Sequence, residues 1–109
     1  MSEDILDTIR EQIGSNPIIL YMKGSPAAPQ CGFSAQTVQC LAACGERFAY
    51  VDVLANPEIR ANLPKYADWP TFPQLYVRGE LVGGCDIITE MYQSGELETL
   101  IKSATAETE

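Results

Sequence analysis

Residues 18 to 22 read Ile-Ile-Leu-Tyr-Met, an unbroken apolar run set between Pro17 and Lys23. Successive side chains of a β-strand point to opposite faces, so a strand that is apolar at every position must be covered on both sides. The run is far short of the ~20 residues that span a bilayer, and no other apolar stretch reaches that length. The chain therefore needs a sheet with helices on each face. A chain of 109 residues suffices for one such domain with a core of its own.

The flanking segments supply the helices. Ser2 can cap a first helix with Glu3 and Asp4 in its opening turn, Ile5, Leu6, Ile9 and Ile13 share one face, and Gly14 and Pro17 are expected to end it. After the apolar strand, Lys23 to Gln30 reads as a loop broken by Pro26 and Pro29. A second helix is expected over Gly32–Cys44, with Val38, Leu41 and Ala42 inward and Gly45 at its C-terminal cap.

Phe48 to Val53 reads as another strand, and Asn56-Pro57-Glu58 opens a third helix that Pro64 should shorten or kink. Gln74–Val77 and Leu81–Val82, joined across Arg78-Gly79-Glu80, form a hairpin. The remainder is helical from Asp86 onward, with Ile87, Ile88, Met91 and Tyr92, then a break at Gly95, then Leu97, Leu100 and Ile101. Thr105 to Glu109 is expected to fray. Strand, helix, strand, hairpin and covering helix together specify a mixed α/β sheet.

Charge narrows the function. Fifteen acidic residues against seven basic ones give a net charge of -8, which disfavours nonspecific nucleic-acid binding and docking on anionic lipid. Glu3, Asp4 and Asp7 precede any basic residue, the reverse of an export signal or transit peptide, so a cytoplasmic location is expected. The four cysteines then read as thiols, metal ligands or redox groups, and their spacing matches no standard zinc pattern.

Cys31 stands out among them. A cysteine just ahead of a helix faces unpaired N–H groups and the positive end of the helix dipole, which favour thiolate and can bring the pKa from about 8.5 toward ~3.5–7.5. That makes it a nucleophile or a metal ligand. A free cysteine is more often a small buried hydrophobe, but Gln30 and Gly32 on either side make a poor setting for burial. Cys40 and Cys44, four apart on the same helix, fit core packing. Trp69 and the five tyrosines also read as packing residues, with Trp69 next to the expected groove.

The segments KGSP, CGFS and WPTFPQLYVRGELVGGCDI, in this order, resemble the single-domain bacterial form of the monothiol glutaredoxins, of the thioredoxin superfamily, from Ile5 to Ile101. CGFS alone would be a weak match; the set is specific. The resemblance implies a thioredoxin-like fold with a central four-stranded mixed sheet flanked by helices. It makes Cys31 the active thiol and glutathione its bound partner, with Lys23 and Arg60 meeting a glutathione carboxylate. Without it, both would read as solvated surface charge. Phe72-Pro73 would be the superfamily's cis-proline turn, leaving the backbone of Phe72 free to pair with the cysteinyl unit of glutathione as an added strand does. Cys85 and Asp86 would close the far end of the groove, where a helix N-terminus after Gly83-Gly84 can hold a carboxylate. Asp86 also reads as a simple helix cap.

Three functions stay open at this point. One is a carrier of iron–sulfur clusters, a homodimer sharing one [2Fe-2S] cluster between two Cys31 thiolates and two glutathione thiols before passing it to acceptor proteins. Another is a glutathione-dependent thiol transferase. The third is a regulatory module that shares a cluster with a BolA-like protein. Ser34 stands where a dithiol glutaredoxin has its second cysteine, so the fast internal disulfide of a C-x-x-C site is absent and the carrier is favoured. Cys85, a second thiol near the groove, is left open as a resolving thiol.

Overall fold

The computed structural model describes residues 3 to 106, of which the side chain of residue 3 is left aside. The cap at Ser2 lies outside the described residues. Helix α1 (Glu3–Ser15) is followed by β1 (Ile18–Met22), a short pair β2 (Gly24–Ser25) and β3 (Ala28–Pro29), α2 (Gly32–Ala43) and β4 (Ala49–Asp52). Then come α3 (Pro57–Ala67), β5 (Gln74–Val77), β6 (Glu80–Gly83), α4 (Cys85–Ser94) and α5 (Glu96–Ala106). The main sheet has the order β4-β1-β5-β6, with β1 parallel to β4 and antiparallel to β5.

The apolar run does what its pattern demands. Ile18, Leu20 and Met22 join a core with Leu41 of α2, Ile88 of α4 and Leu97 and Ile101 of α5, while Ile19 and Tyr21 join Ile5, Ile9 and Ile13 of α1 and Ile59 and Leu63 of α3 on the other side. One strand thus nucleates two cores. Burying each Leu or Ile side chain is worth roughly 1.5–3 kcal/mol, and this strand is fully buried along its length. Tyr21 stacks edge-on against Tyr76 at 5.7 Å and donates its hydroxyl to Gln12 Oε1 at 2.9 Å.

Several boundaries differ from expectation. Helix α1 runs through Gly14 to Ser15, because its buried stripe of Ile5, Ile9 and Ile13 holds the last turn on the sheet. Leu6, at the edge of that stripe, is only half-buried. Ala42 is exposed, not inward: the buried residues of α2 are Ser34, Thr37, Val38, Cys40 and Leu41, and position 42 turns beyond the edge of that arc. Helix α3 continues past Pro64 to Ala67, and the Pro64 carbonyl accepts the Trp69 N–H at 3.0 Å.

Strand β4 is shorter than Phe48–Val53, because only Ala49–Asp52 pair with β1. The hairpin turns on Arg78-Gly79 alone, both at positive φ (52° and 85°), the geometry that matches strand twist, so β6 starts at Glu80. Thr105 lies in α5, its hydroxyl donating to the Ile101 carbonyl at 3.3 Å, and positions 107 to 109 lie outside the described residues.

Candidate functional site

The end of β1 and the start of α2 are tied together before any functional group is placed. The Lys23 N–H, leaving the sheet, donates to Ser34 Oγ at 3.1 Å, and Ser34 is wholly buried in the first turn of α2. The chain between them is not a plain loop but a miniature hairpin, with Gly24 opposite Pro29 and Ser25 opposite Ala28. Gly24 makes this possible: its φ is +90°, and a Cβ there would fall 2.6 Å from the Ala28 carbonyl oxygen. The Gln30 N–H closes the hairpin onto the Lys23 carbonyl at 2.9 Å.

This hairpin delivers Cys31 to the N-cap of α2 in extended conformation (φ -154°, ψ 137°). Cys31 is half-buried and takes part in no disulfide. It faces the N–H groups of the first turn without closing a full cap hydrogen bond, and that turn carries no acidic residue to offset the helix dipole. The backbone N–H of Ser34 is the main influence holding the thiol below its ordinary value; the Phe33 N–H, the Lys23 ammonium and the Ser34 hydroxyl add to it, while partial burial opposes them. The thiol is therefore shifted in the direction that a helix N-terminus favours.

The opposite wall begins at a cis peptide bond between Phe72 and Pro73. Gln74, buried in β5, locks the approach: its amide donates to the carbonyls of Trp69 (3.0 Å) and Thr71 (3.1 Å), and its Oε1 accepts the Tyr76 hydroxyl at 3.0 Å. Phe72 itself makes no backbone hydrogen bond among the described residues, so its N–H and C=O are available to an extended ligand. Beyond β6, Gly84 caps α4 without a side-chain bond, and the first intrahelical bond is Ile88 N–H to the Gly84 carbonyl at 3.0 Å. The N–H groups of Cys85, Asp86 and Ile87 thus point out of the helix unpaired, as at any helix start.

Lys23, Cys31, Arg60, Phe72, Cys85 and Asp86 all line one cleft of about 760 Å³, together with Phe33, Trp69 and Ile87. Every site residue expected from the sequence is on its wall. They differ in exposure: Arg60 and Asp86 are exposed, Lys23 and Phe72 are half-buried, and Cys85 is buried, its sulfur 3.9 Å from the Thr89 hydroxyl. That hydroxyl also accepts from Gln36 Nε2 at 2.9 Å, which ties α2 to α4 at the surface.

Sequence reasoning passes over five participants. In the sequence Ser34 marks the thiol it replaces, and nothing there shows that its oxygen accepts the Lys23 N–H. Gln74 carried a signal, since a polar residue at the start of an apolar strand must find partners when buried. Phe33, 62% exposed, and Ile87, 36% exposed, form an apolar rim that no periodicity marks. Gly84 sits where a Cβ would be 3.2 Å from the Pro73 carbonyl oxygen and 3.5 Å from Trp69 Nε1, so a side chain there would press on the Pro73 backbone by a few tenths of an ångström.

Comparison with known proteins agrees with this architecture. The family model described as Glutaredoxin matches residues 18–82. Glutaredoxin 4 of Escherichia coli K12 is 72% identical over 101 residues, covering 93% of this chain and 88% of that protein. Glutaredoxin 4 of Buchnera aphidicola is 64% identical over 98 residues, 90% of this chain and 91% of that one. Among solved structures, reduced apo GrxS14 of poplar superposes with a TM-score of 0.79 at 43% identity, covering 94% of each chain. With a lone cysteine at the head of α2 and a serine one turn on, the chain belongs to the glutaredoxin family, as a monothiol member with the thioredoxin-like fold.

Proposed function

We propose that this glutaredoxin binds glutathione in the cleft and, as a homodimer, carries a [2Fe-2S] cluster to acceptor proteins in the cytoplasm. The observation that carries the reading is the setting of Cys31: a half-buried residue at the head of α2 whose thiol is shifted below its ordinary value, lining a cleft with no second cysteine in its own turn. Glutathione matches the walls group by group. Its cysteinyl unit would pair with the free backbone of Phe72, one carboxylate would meet Lys23 and Arg60, and the other would meet the open N–H groups at the head of α4 with Asp86 accepting from the amino group. The glutathione sulfur then lies beside Cys31.

Counting donors leads to the dimer. A [2Fe-2S] cluster takes four ligands, usually thiolates. Among the described residues no group of three or more His, Cys, Asp or Glu side chains is assembled, and Cys40 and Cys44 are buried away from solvent. Each chain thus offers Cys31, and each bound glutathione offers one more sulfur, so two protomers and two glutathiones complete the set. The exposed Phe33 and Ile87 at the rim give the second chain an apolar surface to cover. A BolA-like protein could replace one protomer in the same arrangement.

Anaerobic reconstitution with iron, sulfide and glutathione should yield visible absorption from a cluster together with a dimer by size. Cys31→Ser, or omission of glutathione, should abolish both. A full cluster assembled with no small thiol present, and lost in Cys85→Ser, would make Cys85 the second ligand and overturn the glutathione-ligated arrangement. The half-buried Cys31 thiol, lowered in pKa, also favours a second reading, thiol transfer: Cys31 attacks a glutathionylated protein, releases its thiolate and takes the glutathionyl group as a disulfide. A second glutathione then frees Cys31 and leaves as glutathione disulfide. Turnover matching a dithiol glutaredoxin would put this reading first.

A further inference from the structure

Asp52 does not line the cleft, yet one of its oxygens holds the backbone that does. It ends β4 opposite Met22, the last residue of β1. Asp52 Oδ1 accepts the Gly24 N–H at 3.0 Å and the Leu54 N–H at 2.9 Å. One residue earlier the Lys23 N–H is taken by Ser34 Oγ at 3.1 Å, and the Lys23 carbonyl receives the Gln30 N–H at 2.9 Å. Two consecutive donors that leave the sheet are thus caught by side chains from two different elements, β4 and α2. Gly24 is wedged against the hairpin with no room for a Cβ, so the chain has no slack there.

We propose that Asp52 is a positioning residue for the cleft: by holding the Gly24 N–H it fixes the backbone at Lys23 and so keeps the Lys23 ammonium beside the Cys31 sulfur. Lys23 and Cys31 share the cleft wall, and a four-carbon stem places its charge only as well as its Cα is held. Without the clamp, the ammonium would swing into solvent, where screening removes most of its influence. Clamp and charge act in opposite directions. The negative charge of Asp52 by itself weakens the positive field at Cys31, so its removal through charge alone would strengthen that field; loss of the clamp would weaken it.

The test uses two alkylating reagents on the full chain at one pH, iodoacetate, which is anionic, and iodoacetamide, which is neutral, with Cys31 modification followed by peptide mass spectrometry. The thiolate fraction cancels in the ratio of the two rates, which leaves the local field. Lys23→Ala calibrates the assay and should lower the ratio severalfold. Asp52→Asn keeps an oxygen acceptor and should hold the ratio at or slightly above that of the unmodified protein. Asp52→Ala has the same charge as Asp52→Asn but no acceptor, and its ratio should fall about two- to threefold below it, the scale of one partly screened surface charge.

A ratio in Asp52→Ala equal to or above that of Asp52→Asn overturns the proposal. Should Asp52→Ala fail to fold, the Gly24 amide of the unmodified protein decides: it must exchange at least about tenfold more slowly than a free amide, and free exchange overturns the clamp. The proposal rests on Cys31 being the reactive thiol of the cleft. Resistance of Cys31 to both reagents would overturn that reading and the clamp together, whereas a reactive Cys31 with an unmoved ratio would overturn the clamp alone.

Discussion

At the head of α2 Cys31 is half-buried and its thiol is held below the ordinary value; at the tail of the same helix Cys44 is 2% exposed and burial pushes its thiol up. Cys31 faces N–H groups that stabilise negative charge. Cys44 faces carbonyls, and its S–H donates to the Cys40 oxygen at 3.4 Å. The same side chain is therefore a nucleophile or a packing group according to which end of a helix it meets and how deeply it sits. Cys40, on the buried face between them, follows Cys44, with burial the main cause.

The largest test of this contrast is reactivity. At neutral pH the folded protein should lose Cys31 to iodoacetamide at least about a hundredfold faster than Cys40 or Cys44, and unfolding in urea should erase the difference. Comparable folded-state rates would dissolve the distinction between the two ends. The pH dependence has a definite sign. Cys31, lowered from 9.0, should keep its plateau rate as pH falls through that value, while Cys40 and Cys44, raised from 9.0, stay protonated as pH rises past it. The unfolded chain releases those two protons first, so the stability contributed by burying them is present below pH 9.0 and is lost progressively above it. Tyr76, raised to about 12 chiefly by burial, extends the same loss further into alkali.

Ser34→Cys sharpens the contrast by placing a second thiol in the first turn. Glutathione-linked disulfide reduction should rise about tenfold, because a resolving thiol becomes available one turn from Cys31. The loss of the oxygen that accepts the Lys23 N–H should cost about 1 kcal/mol, seen in thermal unfolding. An unchanged reduction rate would show that something other than the missing thiol limits turnover.

Smaller effects are expected at the two cations. Lys23→Ala should weaken glutathione binding about tenfold and Arg60→Ala about fivefold or less, as measured by calorimetry. Lys23 is half-buried whereas Arg60 is exposed, and water screens an exposed pair more strongly. No loss in either variant would remove the carboxylate from this wall. The smallest effect belongs to the tail of α2: Cys44→Ala should leave cluster assembly intact and cost about 1 kcal/mol of packing in chemical denaturation. Loss of the cluster there would mean that the two ends of the helix are not chemically independent.

The sequence alone determined the features that rest on local rules. An apolar run at Ile18–Met22 requires cover on both faces, a cysteine ahead of a helix meets unpaired N–H groups, and Gly45 after the last turn stops α2, with φ +82°. Distinct motifs also placed Lys23, Arg60, Phe72, Cys85 and Asp86 at one site through family resemblance. Only the tertiary structure decided what depends on partners distant in the chain. Gly14 stays helical because isoleucines on its own helix find the sheet, Ala42 is exposed because the buried arc of α2 ends one position short of it, and Lys23–Gln30 becomes a hairpin because Ser34 and Asp52 each hold one of its N–H groups. Those bonds join residues 11 and 28 positions apart, and no periodicity or spacing in a sequence encodes which donor a distant oxygen will meet.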